Sequence, residues 1–223
     1  MSVRPAFIPE INGKNYVRKV DIEFTWFPGF SKEQKRKSIR SLHKGIKEKF
    51  EKSKILEIST KSEEKIGIKA SAFNLRLCLK ELSSSIESIY QGSKVFELGG
   101  PYLDLYKKSS LESKKDERLK SSGDLKGYDF YGDFWKLNDN FYNWLYLNAL
   151  DQNEEIKQSI LSYDVFTDIE FNPKKSYNCQ AYSAALFSSI IQRGESLSEI
   201  KNKEKFKKKF SEEIFTIEQM ELF

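Results

Sequence analysis

The sequence predicts an α+β fold, mainly α-helical with short strands, forming a single domain over residues 1–223. Three observations lead there. Apolar residues recur at helical spacing in capped segments, most clearly over 31–50, 140–150 and 176–193. Short β-rich runs, at 15–27, 55–60 and 163–171, sit between turn-forming residues. Seventeen Phe, eleven Tyr and three Trp in 223 residues supply enough apolar surface for one sizeable core, and no repeat or Pro/Gly-rich linker divides the chain.

Composition narrows the function classes. The 38 basic and 33 acidic residues leave a net charge of +5. That excess fits a partner bearing phosphates, although charge alone does not separate nucleic acid, a diphosphate ligand or a plain soluble surface. Two cysteines about a hundred positions apart, Cys78 and Cys179, and one histidine, His43, make a poor inventory for zinc or a disulfide framework. Neither metal nor cofactor is expected. The start of the chain carries Pro5 and charged residues rather than a long apolar run, and no window reaches transmembrane length. The expectation is a reduced cytoplasmic protein without a membrane partner.

Taken in order, Tyr16 to Trp26 alternate loosely and read as a strand entering the Pro28-Gly29 turn. Ser31 then caps a basic helix whose apolar stripe is Ile39, Leu42, Ile46 and Phe50. His43 falls at the edge of that stripe and reads as a packed or surface histidine. Ile55–Thr60 reads as a strand, and Ile66-Gly67-Ile68 with Ala70 and Phe73 as another edge or loop-flanked segment. One of Ser83, Ser84 or Ser85 starts a helix in which Ile86, Ile89, Tyr90 and Phe96 face a core.

In that helix Glu87, Gln91 and Lys94 sit at i, i+4 and i+7, within one narrow stripe. The stripe is either a solvated face with ordinary helix pairs or a built site. Gly99-Gly100-Pro101 follows, a helix stop or a place where backbone approaches a ligand. Residues 107–126 are polar and charged, with Lys114, Lys115 and Arg118 free to meet phosphates. The Tyr128–Trp135 cluster is either a strand pair closing a core or a platform for a base. Asn140–Leu150 reads as a helix burying Phe141, Trp144, Leu145 and Leu147. Ser176 caps a helix ending at Arg193, with Gly194 as its stop and Asn178 and Gln180 in its first turn. The last thirty residues read as an amphipathic helix through Phe206, Phe210, Ile214 and Ile217.

Glu87-x3-Gln91-x2-Lys94, followed by Phe96, resembles the central helix motif of the NADAR family, N-glycosidase-like proteins of NAD and ADP-ribose metabolism. Ser71-Ala72-Phe73-Asn74-Leu75 resembles the Ser-Asn-Phe segment that precedes that helix. Phe166-Thr167-Asp168 and Asn178 resemble the family's late aromatic-x-Asp and Asn motifs, though the glycines that precede the family's Asn are missing from Glu170–Tyr177. The general match covers residues 70–192, with 1–69 and 195–223 as extensions packed on it. With Trp26-Phe27-Pro28-Gly29-Phe30 and Phe171-Asn172-Pro173-Lys174-Lys175-Ser176, the whole chain is most similar to the NADAR antitoxins that accompany DarT-type DNA ADP-ribosyltransferases.

The resemblance implies hydrolytic removal of ADP-ribose from guanine in DNA, with ADP-ribosylated DNA as substrate and a cognate DarT-type toxin as possible partner. It makes Glu87 and Lys94 catalytic, and gives ligand binding to Asn74, Gln91, Asp168 and Asn178, joined by Gly99, Gly100 and Asp104 of the turn after the central helix. Two other readings stay open. One is an N-glycosidase acting on a small nucleotide-derived metabolite. The other is a non-catalytic antitoxin that binds nucleic acid or toxin.

Overall fold

The computed structural model describes residues 2–79, 82–173 and 178–210. Helices and short strands mix along the chain in an α+β fold, and they gather into two compact units. The first is Met1–Ser71 with Asn153–Glu195; the second is Ala72–Gln152 with Ser196–Phe223.

The first unit is built on a four-stranded sheet in the order Val17–Phe24, Ser2–Pro9, Val165–Thr167, Ile55–Glu57. Ser2–Pro9 runs antiparallel to Val17–Phe24, from Ser2 opposite Phe24 to Pro9 opposite Val17. The strand Ser2–Pro9 was not expected, because Pro5 and Pro9 cannot donate to a ladder. It is tolerated because on its other side it bridges Val165–Thr167 only at Phe7 and Phe166. Ile55–Glu57 runs parallel to Val165–Thr167.

The basic helix spans Lys32–Lys49, with the Ser31 side chain accepting the Gln34 N–H. Its stripe of Ile39, Leu42 and Ile46 packs with Ala6, Ile22, Phe24, Ile55, Val165 and Ile169 as the core of this unit. Gly45 lets the helix lie close on the strand, since a Cβ there would stand 2.9 Å from both Glu23 O and Ile22 Cγ2.

Two readings in this unit need correction. Lys65–Lys69 is a short helix rather than an edge segment; Gly67 has no side chain to keep it off the Glu57 carbonyl, and so the turn closes there. The late helix spans Gln180–Gln192 with Cys179 at its N-cap, which puts Asn178 just before the helix and not in its first turn. Gly194, at φ +70°, ends it as expected. The expected cap Ser176 and the stretch Lys174-Lys175-Ser176 lie outside the described residues.

The second unit holds a hairpin, Arg76–Leu79 with Leu82–Ser85, and a three-stranded antiparallel sheet in the order Lys94–Phe96, Leu125–Phe130, Asp133–Trp135. Tyr131 and Gly132 both take positive φ at the tip between the last two strands, the geometry of a two-residue hairpin turn. The aromatic cluster is therefore a strand pair. Trp135, Tyr128 and Phe130 are buried, while Tyr131 and Phe134 remain exposed. Helix Phe141–Gln152 buries Phe141, Leu145 and Leu147, with Phe141 stacked 5.1 Å from Tyr128. Trp144 on the same helix is only partly buried. Lys203–Phe210 buries Phe206 and Phe210, with Phe206 6.5 Å from Trp135; Ile214 and Ile217 lie outside the described residues.

Candidate active site

In the second unit the sequence builds a short helix, Ile86–Gly92, whose start is fully occupied by its own chain. The Ile86 and Glu87 N–H groups donate to Leu75 O and Ala72 O, both at 3.0 Å, and the Ser88 N–H donates to Ser85 Oγ at 3.1 Å. Ser85 Oγ also receives Ser110 Oγ at 2.7 Å, tying the helix to Ser110–Lys115. The turn Ala72–Leu75 thus lies over the helix start, and Asn74 within it is exposed.

Ile86 and Ile89 are fully buried, and so is most of the polar face. Glu87 is 7 % exposed and Gln91 8 %. That excludes the solvated-face reading. Glu87 Oε1 accepts Gln91 Nε2 at 2.9 Å, and the Lys114 ammonium stands 3.8 Å from the same oxygen. Lys114 also lies 5.2 Å from the centre of the Phe73 ring. Gln91 Oε1 is buried and has no partner among the described residues. A buried acceptor left unmade costs about 1–3 kcal/mol, which a ligand hydroxyl would recover.

Lys94 is reached by a different path from the one the spacing implies. The helix stops at Gly92, the Ser93 N–H returns to Ile89 O at 2.9 Å, and Lys94 opens the strand Lys94–Phe96. Phe96 likewise belongs to the strand. The seven-residue spacing survives, but the Lys94 side chain comes in from a strand, with its ammonium 5.1 Å over the Tyr90 ring. The Tyr90 and Tyr128 hydroxyls hydrogen-bond at 2.8 Å. Burial lowers the Lys94 pKa, Glu87 opposes that, and Lys114 adds to it, leaving an amine easier to deprotonate than an ordinary lysine.

The turn that follows is tight. Phe96 N–H donates to Gly99 O at 2.7 Å, and Gly100, at φ +90°, crosses so near the Lys94 carbonyl that no Cβ fits. These glycines hold the backbone that carries Lys94. Asp104 is exposed and committed to cations, with Arg118 at 2.7 Å and Lys108 at 3.4 Å holding its carboxyl below the usual carboxylate range. Arg118, expected to be free, is taken up by Asp104 and by Asp116 at 2.7 Å.

Asp168 and Asn178 belong to the first unit. Asp168 is 8 % exposed, and its Oδ1 accepts the Glu170 and Phe171 N–H groups at 2.9 and 3.2 Å. Burial, and then the neighbouring Glu57 carboxyl, push its pKa up to about 8. Glu57, 2 % exposed, grips both sides of Asp168. Its oxygens accept Thr167 Oγ1 at 2.6 Å and the Ile169 N–H at 2.9 Å. Burial raises Glu57 as well. His43 hydrogen-bonds Thr167 Oγ1 at 3.0 Å, and burial pushes it down to about 4, consistent with a packed neutral imidazole.

The structure therefore brings Glu87, Gln91 and Lys94 together, with Asn74 on the turn over the helix start and Gly100 behind Lys94. Sequence reasoning missed Lys114 at Glu87 and Glu57 at Asp168. Lys114 stood out only as one cation in a charged stretch, and no spacing rule links position 114 to 87 or 57 to 168.

The family model of the DarT1-associated NADAR antitoxins matches residues 2–219, nearly the whole chain, and the chain belongs to that family. No curated protein matches it.

Proposed function

We propose that this DarT1-associated NADAR antitoxin is an enzyme, an ADP-ribosyl hydrolase that cleaves the N-glycosidic bond between ADP-ribose and guanine in DNA. Family membership supports the antitoxin role. One arrangement carries the chemistry: a buried carboxylate, an amide with a free acceptor and a lysine of lowered pKa within one short stretch of the second unit.

Breaking the C1–N bond builds positive charge on the ribose, which the Glu87 carboxylate stabilises. The neutral Lys94 amine attacks C1, and the proton it sheds goes to the leaving guanine nitrogen, restoring the base. Opening of the ribose ring then gives an imine between Lys94 and C1. Water adds to that carbon, the amine departs, and ADP-ribose is released. Gln91 Oε1 accepts a ribose hydroxyl and Asn74 holds the ADP-ribose beside it, while Asp168 and Asn178, in the first unit, keep only the ligand-binding role that the family resemblance implies.

An oligonucleotide carrying one ADP-ribosyl guanine, read by mass, tests the reading. Wild type should remove a single ADP-ribose, and Glu87→Gln should be slower by at least a hundredfold. An unchanged adduct after prolonged incubation with wild type would refute DNA reversal. Equal rates for the two proteins would refute the role of Glu87.

A further inference from the structure

The first unit carries a second concentration of chemistry, which the proposed reaction does not use. Helix Lys32–Lys49 bears eight Lys and Arg against two Glu. Its net charge of +6 exceeds the +5 of the entire chain, so everything outside it is slightly acidic. Beside the helix lies an open cleft of about 410 Å3, lined by Arg40, Lys44, Lys47 and Lys54 together with Ser53 and Tyr163.

Local structure explains the gathering. Arg40, Lys44 and Lys47 follow the i, i+4, i+7 rule along one face of the helix. Lys54 sits where the chain enters the strand Ile55–Glu57, pinned by its N–H to Asp164 Oδ2 at 2.7 Å.

The charges in this cleft are only partly compensated. Arg40 is paired with Glu63 at 2.5 Å and Glu33 at 3.4 Å. Lys47 donates to the backbone carbonyls of Glu51 and Ser53, at 3.1 and 2.6 Å, and not to a carboxylate. Lys44 and Lys54 make no ion pair among the described residues. Against them the lining offers one carboxylate, Glu64, which accepts the Tyr163 hydroxyl. Three uncompensated ammonium groups around one cleft repel each other in the free protein, and an anion of spread charge removes that repulsion. The hydroxyls of Ser53 and Tyr163 already donate, to Phe50 O at 2.6 Å and to Glu64, so the lysine ammonium groups alone are left to meet a phosphate.

We propose that this cleft is a phosphodiester-binding site, which holds the sugar-phosphate backbone of the nucleic-acid strand bearing the adduct. The identity of that strand rests on the hydrolase reading above, whereas the binding itself does not.

The test uses the full chain and an unmodified single-stranded oligonucleotide of about 20 nucleotides, followed by fluorescence anisotropy across a salt series. Lys44→Gln, Lys47→Gln and Lys54→Gln are combined in one variant. A matched variant carries the same change at Lys107, Lys120 and Lys205, which are exposed in the second unit. Loss of three phosphate contacts should weaken binding at least tenfold at 0.1 M salt and lower the log–log salt slope by about 2, since each contact on a single strand contributes about 0.7. The matched variant should change binding less than twofold. Single Lys44→Gln and Lys54→Gln proteins, altered only at exposed side chains, should move in the same direction if the triple variant folds poorly.

Equal loss in both triple variants would reduce the effect to bulk charge and overturn the site. So would absence of binding by wild type, or competition by polyglutamate as effective as by oligonucleotide, which would mark an acidic-protein surface instead. Because the probe carries no ADP-ribose, a failure of glycosidic cleavage leaves this measurement unaffected.

Discussion

Replacing Asp168 by Asn should change how stability depends on pH. The folded chain holds the Asp168 proton up to about pH 8, because the carboxyl is buried beside Glu57, while an unfolded chain releases it near pH 4. Between those values the native state binds one proton more, so stability falls as pH rises, by about 1.4 kcal/mol per unit. His43 works in the opposite sense. Its folded pKa of about 4 lies below the usual 6.5, so the unfolded chain binds the extra proton in that window and stability rises with pH. The two slopes offset below pH 6.5. From pH 6.5 to 8 Asp168 acts against stability alone of the two, and the loss is about 2 kcal/mol. For a chain of this length that corresponds to about 4–8 °C in the melting midpoint.

Asn has no proton to hold, and its Oδ1 can still accept the two N–H groups at 2.9 and 3.2 Å. Thermal midpoints at pH 6.5, 7.25 and 8 should therefore decline in wild type and decline less, by that amount, in Asp168→Asn. Parallel curves for the two proteins would refute Asp168 as the member of the buried Asp168–Glu57 pair that holds the extra proton.

Three further outcomes follow from other contacts. Ser85→Ala removes the cap of the Ile86–Gly92 helix and the partner of Ser110 Oγ, and should lower stability by about 1–2 kcal/mol in denaturant titration. Gly45→Ala should destabilise by about 1–3 kcal/mol, despite the better helix propensity of Ala, because its Cβ meets Glu23 O and Ile22 Cγ2 at 2.9 Å. Lys114→Met should leave the melting midpoint nearly unchanged, since that side chain is more than half exposed, yet slow removal of ADP-ribose about tenfold by taking away the cation at Glu87.

The parts of the fold that were legible in the sequence are those where one local rule decides. Ser31 before an apolar stripe fixed the start of the basic helix, and Gly194 the stop of the late one. Tertiary context decided the remainder. Ser2–Pro9 is a strand against the preference of its prolines, because one side carries a full ladder and the other a single bridge. Ile66-Gly67-Ile68 reads as an edge or loop-flanked segment, and Gly67 is instead the point where a short helix touches the Glu57 carbonyl.

At the site, i, i+4 spacing put Glu87 and Gln91 on one helix face but left a solvated face open; the family resemblance singled them out, and their burial closes that alternative. Lys94 was legible for a reason that only partly holds, since a helix that ends at Gly92 still delivers it through a one-residue turn. The pairing of Lys114 with Glu87, and of Glu57 with Asp168, arises from distant segments meeting in the folded chain, which periodicity does not encode.

The account turns on Lys94 as the nucleophile, and chemical trapping tests it most directly. Borohydride added during turnover of the ADP-ribosylated oligonucleotide should reduce the imine and leave ADP-ribose covalently fixed to the protein, with peptide mass mapping placing it on Lys94 and no adduct on Lys94→Arg. Active wild-type enzyme that yields no adduct under borohydride, or an adduct retained by Lys94→Arg, would contradict it.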